Sequence, residues 1–305
     1  MAALTLLEQS KAIKDPQSAS IVNMFAMEYI INALMPYSSV TGFDYPLTVF
    51  DALPTVTPRD FNADFTSDYG TSSTYRLAWK NYGGKLEVDK ALKLGNPAGA
   101  VIQEQLQLAA IAKQWAAHVI EGTGSTSLVG LNLFLSTFWS GQFVNAGTTD
   151  GGDVLTLAMM DDMLALVDNP SAIFMTERVR QRLTVLARTS SVHNIQFGID
   201  AFGEQVMKYS GYPVYTMKDA DSGTDILSTT ELGGSGSTAT ASSVYAIRFG
   251  EDGFHAFAPG GVGMNVEQAN PGTNALITRI EKNAGVVLEH KRAAARIRYV
   301  KNALT

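Results

Sequence analysis

Residues 97–121 have the sequence PAGAVIQEQLQLAAIAKQWAAHVIE and are followed by Gly122. Pro97 suits the first turn of a helix, where its missing N–H would have no intrahelical partner. Gly122 is typical of a helix end. Apolar residues recur at helical spacing and form one broad side of the stretch: Val101, Ile102, Leu106, Ala109, Ala112, Ala116, Val119 and Ile120. The stretch therefore predicts one long helix, which we call the spine helix.

A second face of the spine helix is rich in amides. Gln103, Gln107 and Gln114 lie three, four or seven positions apart, in line with His118 and Glu121. Removing an amide from water costs less free energy than removing a charge. Glutamines therefore pack against a protein neighbour more readily than lysines or glutamates do. We expect the helix to be covered on most of its circumference, with these three glutamines at a subunit contact.

The composition indicates a protein whose surface is partly covered by other chains. Only 17% of the 305 residues are charged, whereas 46% are hydrophobic. Ordinary soluble domains have about 25% charged residues. The net charge of −6 argues against a dedicated nucleic-acid reader, and the absence of cysteine excludes disulfides and thiolate metal sites. No secretory segment is visible near Met1, and Leu128–Trp139 is too short to span a bilayer. We expect a soluble, intracellular and oligomeric protein.

Residues 45–80 predict a projecting hairpin. One strand is expected at Val49 and Phe50, and another where Tyr75, Leu77 and Trp79 alternate. About twenty polar and aromatic residues separate them, which is too long for an ordinary loop inside a compact domain. Aromatic side chains dominate contact energies between subunits. The residues that we expect on a neighbouring subunit are Phe61, Phe65 and Tyr69, together with Arg59.

The rest of the chain predicts mixed helix and strand, an α+β fold. Residues 122–149 lack charge and are expected in the core or at a contact surface. Thr156 and Thr176 are predicted to cap two helices, with a buried strand at Ala172–Met175 between them. Strands are expected at 211–215, 244–249, 276–279 and 286–288. Residues 233–243 are rich in Gly, Ser and Thr and predict an exposed, flexible loop.

The sequence offers little for catalysis or for metal binding. Gly122-Thr-Gly124 lacks the third glycine of a dinucleotide loop, and Asp219, Asp221 and Asp225 fail the calcium-loop template. No two of the four histidines have metal-ligand spacing. Asp161 and Asp162 are expected to face solvent or form salt bridges. We expect no catalytic, cofactor or metal site. A hydrolase using Ser190 or Ser191 with His193 stays open as an alternative, although no nucleophile elbow supports it.

Several short segments, in order along nearly the whole chain, carry a resemblance. They are Leu53-Pro54-Thr55-Val56, Arg59-Asp60-Phe61-Asn62, the spine helix, Leu155-Thr156-Leu157, Met175-Thr176-Glu177, Gly198-Ile199-Asp200-Ala201-Phe202-Gly203, Tyr245-Ala246-Ile247-Arg248-Phe249-Gly250 and a closing part from Arg279-Ile280-Glu281 through Gly285-Val286-Val287 and His290 to Ala293-Ala294-Ala295-Arg296. Together they resemble the major capsid proteins of tailed bacteriophages with the HK97 fold.

The resemblance implies a division of the chain. It comprises an N-terminal arm (1–42), an extended loop (43–80), a peripheral domain with the spine helix (81–126 and 246–290), an axial domain (127–245) and a C-terminal segment (291–305) that returns to the axial domain. Arg279, in the closing segment, joins the interface candidates. The archetype's Lys–Asn cross-link is not carried over, because no partners for Lys80 or Lys85 can be identified.

The implied function is structural rather than enzymatic. The chain would self-assemble into hexamers and pentamers of an icosahedral phage head, formed in the host cytoplasm around double-stranded DNA. Portal, scaffolding and decoration proteins are further expected partners, DNA contact would be non-specific, and no membrane is involved. The alternative is an encapsulin-type nanocompartment shell that stores an enzyme cargo and offers a docking groove for a cargo peptide.

Overall fold

The computed structural model describes the backbone of residues 4–11, 13, 16–95, 97–189, 195–199, 205–219, 222–269 and 274–303. The helices are α1 (Leu6–Ser10), α2 (Pro16–Glu28), α3 (Ile30–Leu34), α4 (Lys90–Gly95), α5 (Pro97–Glu121), α6 (Leu131–Leu133), α7 (Leu157–Ala165) and α8 (Glu177–Thr189). A π-helical turn at Phe134–Phe138 continues α6, and a 3₁₀ turn occupies Lys291–Ala293.

The strands form two large sheets and one hairpin. In chain order they are β1 (Leu4–Thr5), β2 (Pro36–Val40), β3 (Asp44–Ala52), β4 (Thr71–Ala78), β5 (Lys80–Asp89), β6 (Phe143–Asn145), β7 (Ala172–Phe174), β8 (Ile195–Ile199), β9 (Gln205–Tyr209), β10 (Tyr212–Tyr215), β11 (Glu231–Leu232), β12 (Ala239–Ile247), β13 (Phe254–Pro259), β14 (Met264–Ala269), β15 (Ala275–Leu288) and β16 (Ala294–Lys301). The mixture of helix and strand confirms the α+β prediction.

The first sheet has the order β1-β2-β13-β15-β14, with β5 paired to the other side of β15. The central strand β15 is one continuous strand, although the sequence predicted two short strands at 276–279 and 286–288. Helix α5, the spine helix, packs on this sheet through Leu108, Ala112, Trp115 and Val119, which are all buried. Helix α2 packs against α5 and completes the first core.

The second sheet has the order β6-β16-β12-β7-β10-β9-β8, with β11 added to β12. Its core includes Met160 and Met163 of α7 and Val179 and Leu183 of α8. These helical residues repeat at three or four positions, so each helix buries one stripe. Strand β16, from the C-terminal segment, lies between β6 and β12. The peripheral and axial names of the resemblance remain an interpretation of these two layers.

The segment predicted as an N-terminal arm is packed against the same chain. Leu6, Phe25 and Ile31 are fully buried, and β2 pairs in parallel with β13. The backbone of Tyr29 is extended, so that α2 and α3 are separate helices. The arm role stays a prediction, but the described part of residues 4–40 lies within the first layer.

Two local predictions need correction, and two others are confirmed. The predicted loop 233–243 ends at Thr238, because residues 239–247 form β12 and Ala241, Ser242 and Ser243 are buried. Thr156 caps α7 as predicted. The hydroxyl of Thr176 instead donates to Asn302 Oδ1, while Asp225 Oδ1 accepts the Glu177 N–H at the start of α8. The uncharged stretch 122–149 supplies core residues, listed here: Leu128, Leu131, Phe134, Leu135 and Trp139.

Candidate assembly surfaces

Strands β3 and β4 form an antiparallel hairpin with a long tip, residues 53–70. The base of the hairpin is attached to the first layer, because Leu47, Val49 and Leu77 are buried there. Tyr45 adds a hydrogen bond at 2.6 Å from its hydroxyl to Glu289. All of residues 53–70 are exposed and form no strand pairing among the described residues. The hairpin is therefore anchored at one end and projects at the other.

The tip carries apolar side chains that its own chain does not cover. The exposed fractions of Phe61, Phe65 and Tyr69 are 103%, 65% and 84%, and Leu53 and Val56 are as open. Soluble monomers rarely expose large contiguous apolar patches, and such patches mark interaction sites. Together with Arg59, the structure thus places four of the predicted interface residues on one projecting element.

Local contacts give the tip some shape of its own. The Arg59 guanidinium lies 5.0 Å from the centroid of the Phe65 ring and donates to the Ala63 carbonyl at 2.5 Å. The Thr55 N–H donates to Asp68 Oδ2 at 2.7 Å. Hydrogen bonds from Thr55 and from the Tyr69 N–H lower the pKa of the Asp68 carboxyl. These contacts join the two sides of the tip, so it can present its rings together.

The spine helix buries only part of its circumference. Val101, Ile102 and Leu106, predicted on its apolar side, are 52%, 52% and 58% exposed. The cover predicted for most of the helix circumference stays a prediction about neighbouring subunits. The helix extends beyond the elements packed on it, and its first turns retain an apolar outer surface.

The glutamine face borders a groove between α5 and β5. Gln103 and Gln114 are exposed and Gln107 is half-buried, with its Oε1 atom buried and without a hydrogen-bond partner in the described structure. The groove measures about 520 Å³, and its lining includes Asn81, Gly83, Gly84, Gln107, Gln114 and His118. The groove therefore lies beside the edge of a strand, and an unpaired carbonyl oxygen is buried in its wall.

His118, in line with the glutamine face, is hydrogen-bonded. Its Nδ1 atom is 2.9 Å from the Tyr82 hydroxyl, and its Nε2 atom is 3.1 Å from Gln114 Nε2. The Leu128 N–H donates to the same tyrosine oxygen at 3.2 Å. Burial lowers the pKa of His118, which favours the neutral ring. This histidine joins β5, α5 and the segment after α5.

Arg279 lies on β15, on the sheet face opposite α5. Its register partner on β5 is Lys85, and on the other side it faces Glu267 of β14 at 3.6 Å. It is exposed and far along the chain from the hairpin and the glutamines. The eight predicted interface residues therefore occupy three regions: the tip, the spine helix and the outer sheet face.

The sequence reasoning missed a buried lysine. Lys282 of β15 is fully buried, and its ammonium nitrogen donates to the Val262 carbonyl at 2.7 Å. It lies 4.1 Å from the Tyr37 ring centroid, with Phe25 at 5.3 Å and Trp115 at 5.8 Å. Burial lowers the pKa of Lys282 well below its usual range. Strand alternation could have revealed it, since Lys282 shares a face with Ile280.

The residues considered for catalysis and metal binding have other contacts or are not described. Asp219 forms an ion pair with Lys113 at 2.7 Å, and Asp161 accepts a hydrogen bond from Tyr209 at 2.6 Å. Ser190, Ser191, His193 and Asp221 lie outside the described residues. Within the part of the chain that is described, no three acidic or histidine side chains are grouped as a metal site would require.

The described helices include none long and apolar enough to cross a membrane.

Comparison with solved structures settles the architecture. A holo-SrpI encapsulin complex from Synechococcus elongatus PCC 7942 matches with TM-score 0.62 and 14% identity, covering 88% of this chain and 86% of that chain. The cyanophage A-1(L) capsid matches with TM-score 0.62 and 12% identity, covering 89% and 92%. The capsid of a native GTA particle matches with TM-score 0.56 and 14% identity, covering 88% and 89%.

The chain has the HK97 fold. The similarity covers nearly the full length of both chains in each comparison. It therefore includes both large sheets of this chain. The predicted fold is confirmed. No protein-family model matches the sequence, and no curated protein matches it either. At identities of 12–14% the solved structures establish the fold, while the role of each surface has to be argued from this chain's own residues.

Proposed function

We propose that the chain is a major capsid protein, which self-assembles into hexamers and pentamers of an icosahedral phage head around double-stranded DNA. The main support is the hairpin tip, whose aromatic residues are exposed in the single chain. The HK97 fold, shared with phage capsids and an encapsulin, supports the same proposal. In the head, the tip of each subunit packs on its neighbour, and each subunit also receives a tip.

The energetics favour a ring of such contacts. A buried aromatic side chain removes about 150–200 Å² from water, which gives about 4 kcal/mol of gross hydrophobic stabilisation. Losses of translational and side-chain freedom offset much of this at any single contact. A heterologous contact, in which different patches meet, closes into a ring when the rotation allows it. A closed ring has as many contacts as subunits, and the loss of any one subunit breaks two of them.

Charge is compatible with a DNA container. The chain has a net charge of −6, so it lacks the strong positive balance that would bind a packaged genome tightly. DNA contact is accordingly weak and non-specific in this proposal. Portal, scaffolding and decoration proteins complete the set of proposed partners, the site of assembly is the host cytoplasm, and the protein acts as a structural component rather than an enzyme.

Electron microscopy of the purified, expressed protein tests this proposal. Closed shells built from rings of six and five subunits are expected, over a range of salt concentrations or with a scaffolding protein added. Light scattering should show a matching rise in mass. Persistent monomers under all of these conditions would contradict self-assembly.

An encapsulin-type shell is the second candidate, and one observation favours it. A groove of about 270 Å³ lies where α2 and α5 meet, with mainly apolar lining from Ile21, Met24, Val101, Leu108 and Ile280. Such a groove could hold apolar side chains of a cargo peptide. The two candidates differ in their contents. Shells purified after nuclease treatment should retain protected DNA if the chain is a phage capsid protein, and a stoichiometric protein if it is a compartment shell.

A further inference from the structure

Strand β5 has a long open edge. It pairs with β15 over ten residues, from Lys80 opposite Ala284 to Asp89 opposite Ala275, without a shift in register. No other described strand pairs with it. In an antiparallel pair, alternate residues direct their N–H and C=O groups away from the partner strand. About half of the backbone groups of β5 therefore face outward along an edge that could accept another strand.

Three of the usual protections of an edge are missing from β5. Proteins shield edge strands with prolines, bulges, short length or charged side chains. Strand β5 contains no proline and no bulge, and it is longer than the six-residue β14 at the opposite edge. Its charged residues are Lys80, Lys85, Glu87 and Asp89, and Lys85 is paired with Glu87 at 2.8 Å. A regular edge of this length is suited to an added extended segment.

The groove beside the edge provides a second observation. It lies on the α5 side of β5, next to Asn81, Gly83 and Gly84. The buried Gln107 Oε1 atom borders it without a hydrogen-bond partner in the described structure. A buried acceptor left unpaired is unfavourable. Because this atom is closed to solvent in the single chain, an N–H of an occupant can pair with it only after the Gln107 amide turns toward the groove.

The second half of the hairpin tip fits this edge. Residues 64–69 alternate, with Phe65, Ser67 and Tyr69 on one side and Asp64, Thr66 and Asp68 on the other. The first half contains Pro54 and Pro58, which cannot donate to a ladder.

The ring side of this segment matches the inner face of the edge. Rings there would cover the groove beside Tyr82, and Leu86 lies on the same face of β5. On the outer face, Lys85 and Arg279 are already paired with Glu87 and Glu267. The match therefore depends on the placement of the rings.

We infer that the outer edge of β5 receives residues 63–69 of a second copy's hairpin as an added strand. This inference rests on the proposed function, in which the tip contacts a neighbouring subunit, and it specifies where on the neighbour the tip lies. It also assigns a role to the glutamine face of the spine helix, whose Gln107 and Gln114 border the added strand.

Disulfide trapping tests the inference, because the native chain has no cysteine. Thr66→Cys is combined with Lys85→Cys on the outer face of β5. A matched control combines Thr66→Cys with Asn265→Cys, an exposed position of β14 at the opposite edge. A third pair, Thr66→Cys with Asn81→Cys, samples a register four residues away. Assembled particles are oxidised and separated on non-reducing gels.

We expect a ladder of covalently joined subunits for the β5 pairs, at least about tenfold stronger than for the β14 control. Intact particles that form no ladder with either β5 pair would overturn the inference while leaving the proposed function standing. A stronger ladder with Asn265→Cys would overturn it as well. If none of the variants or the native chain forms particles, the proposed function fails and the inference fails with it.

Discussion

Lys282 is a buried side chain whose charged form destabilises the layer in which it lies. Its ammonium group has one carbonyl acceptor and three aromatic rings around it, and no ion pair among the described residues. The rings belong to α2, β2 and α5, so this one residue contacts three elements of the first layer. Desolvation disfavours the charged form, and the pKa of Lys282 is lowered for that reason.

The unfolded chain therefore binds a proton at Lys282 that the folded chain does not, at pH values between the lowered folded pKa and the unfolded value near 10.4. The free energy of unfolding rises with pH across this window. We expect Lys282→Met to reduce that rise and to stabilise the unassembled subunit by about 1–3 kcal/mol at pH 7. Urea unfolding at pH 7 and pH 9 measures both effects.

Lys85→Met serves as the control for Lys282→Met, because Lys85 is exposed and forms only a surface ion pair. It should change the free energy of unfolding by less than about 0.5 kcal/mol at either pH. A destabilised Lys282→Met at both pH values would show that the Val262 hydrogen bond and the ring contacts outweigh the cost of burial.

The turn between β13 and β14 offers a test at the scale of elements. Gly260 and Gly263 both have positive φ, +69° and +63°. A Cβ on Gly260 would meet nothing, whereas a Cβ on Gly263 would collide with the Asn283 carbonyl oxygen. Gly260→Ala should cost about 1 kcal/mol for the left-handed backbone alone. Gly263→Ala should cost more than about 3 kcal/mol, since backbone must move. Equal losses in thermal unfolding would contradict this account.

The hairpin gives the second prediction at this scale. Replacing Phe61 and Phe65 with Ser should leave the unassembled subunit folded, because neither ring packs on the body of its own chain. The yield of particles should fall about tenfold or more, since exposed anchors of this kind dominate interface energies. Circular dichroism and microscopy separate the two effects. Phe134→Ser, at a fully buried ring, should instead destabilise the subunit by about 3–5 kcal/mol.

The elements themselves were largely predictable from local sequence. Pro97 and Gly122 bound the spine helix, and Thr156 caps α7, because these residue types act through neighbouring backbone groups. The tip was recognisable from its length and its aromatic content. The predicted cap by Thr176 was wrong, because Asp225, 48 positions away, accepts the hydrogen bond at the start of α8. The exposure of Val101, Ile102 and Leu106 was also missed, since periodicity shows which residues share a face but not what covers it.

At the scale of the whole molecule, the N-terminal segment and the hairpin tip should respond oppositely to removal. Residues 4–34 supply Leu6, Val22, Phe25 and Ile31 to the first core. Their deletion should leave a soluble-expression yield near zero or a subunit without cooperative unfolding. Replacing residues 54–69 with a Gly/Ser linker should keep the unfolding temperature within about 2 °C and abolish particles. A stable, assembling deletion of 4–34 would restore the idea of a free arm.

The candidate surfaces were harder to predict than the fold because their meaning depends on three dimensions. Arg279 and Lys85 are nearly two hundred positions apart, yet strand pairing sets them side by side. Gln107 was singled out for its residue type, but its unpaired oxygen becomes visible only once β5 lies beside it. Sequence spacing identifies faces of single elements, whereas grooves and edges arise from how distant elements meet.

The position of β16 has a consequence for biosynthesis. It is the last strand of the second sheet along the chain, yet it lies between β6 and β12. A ribosome must therefore deliver residues 294–301 before these two strands can find their shared neighbour. Until that moment, nascent chains on a polysome carry unpaired edges of β6 and β12, which could pair with those of other nascent chains. Low growth temperature or a chaperone that holds emerging chains should accordingly raise the soluble yield.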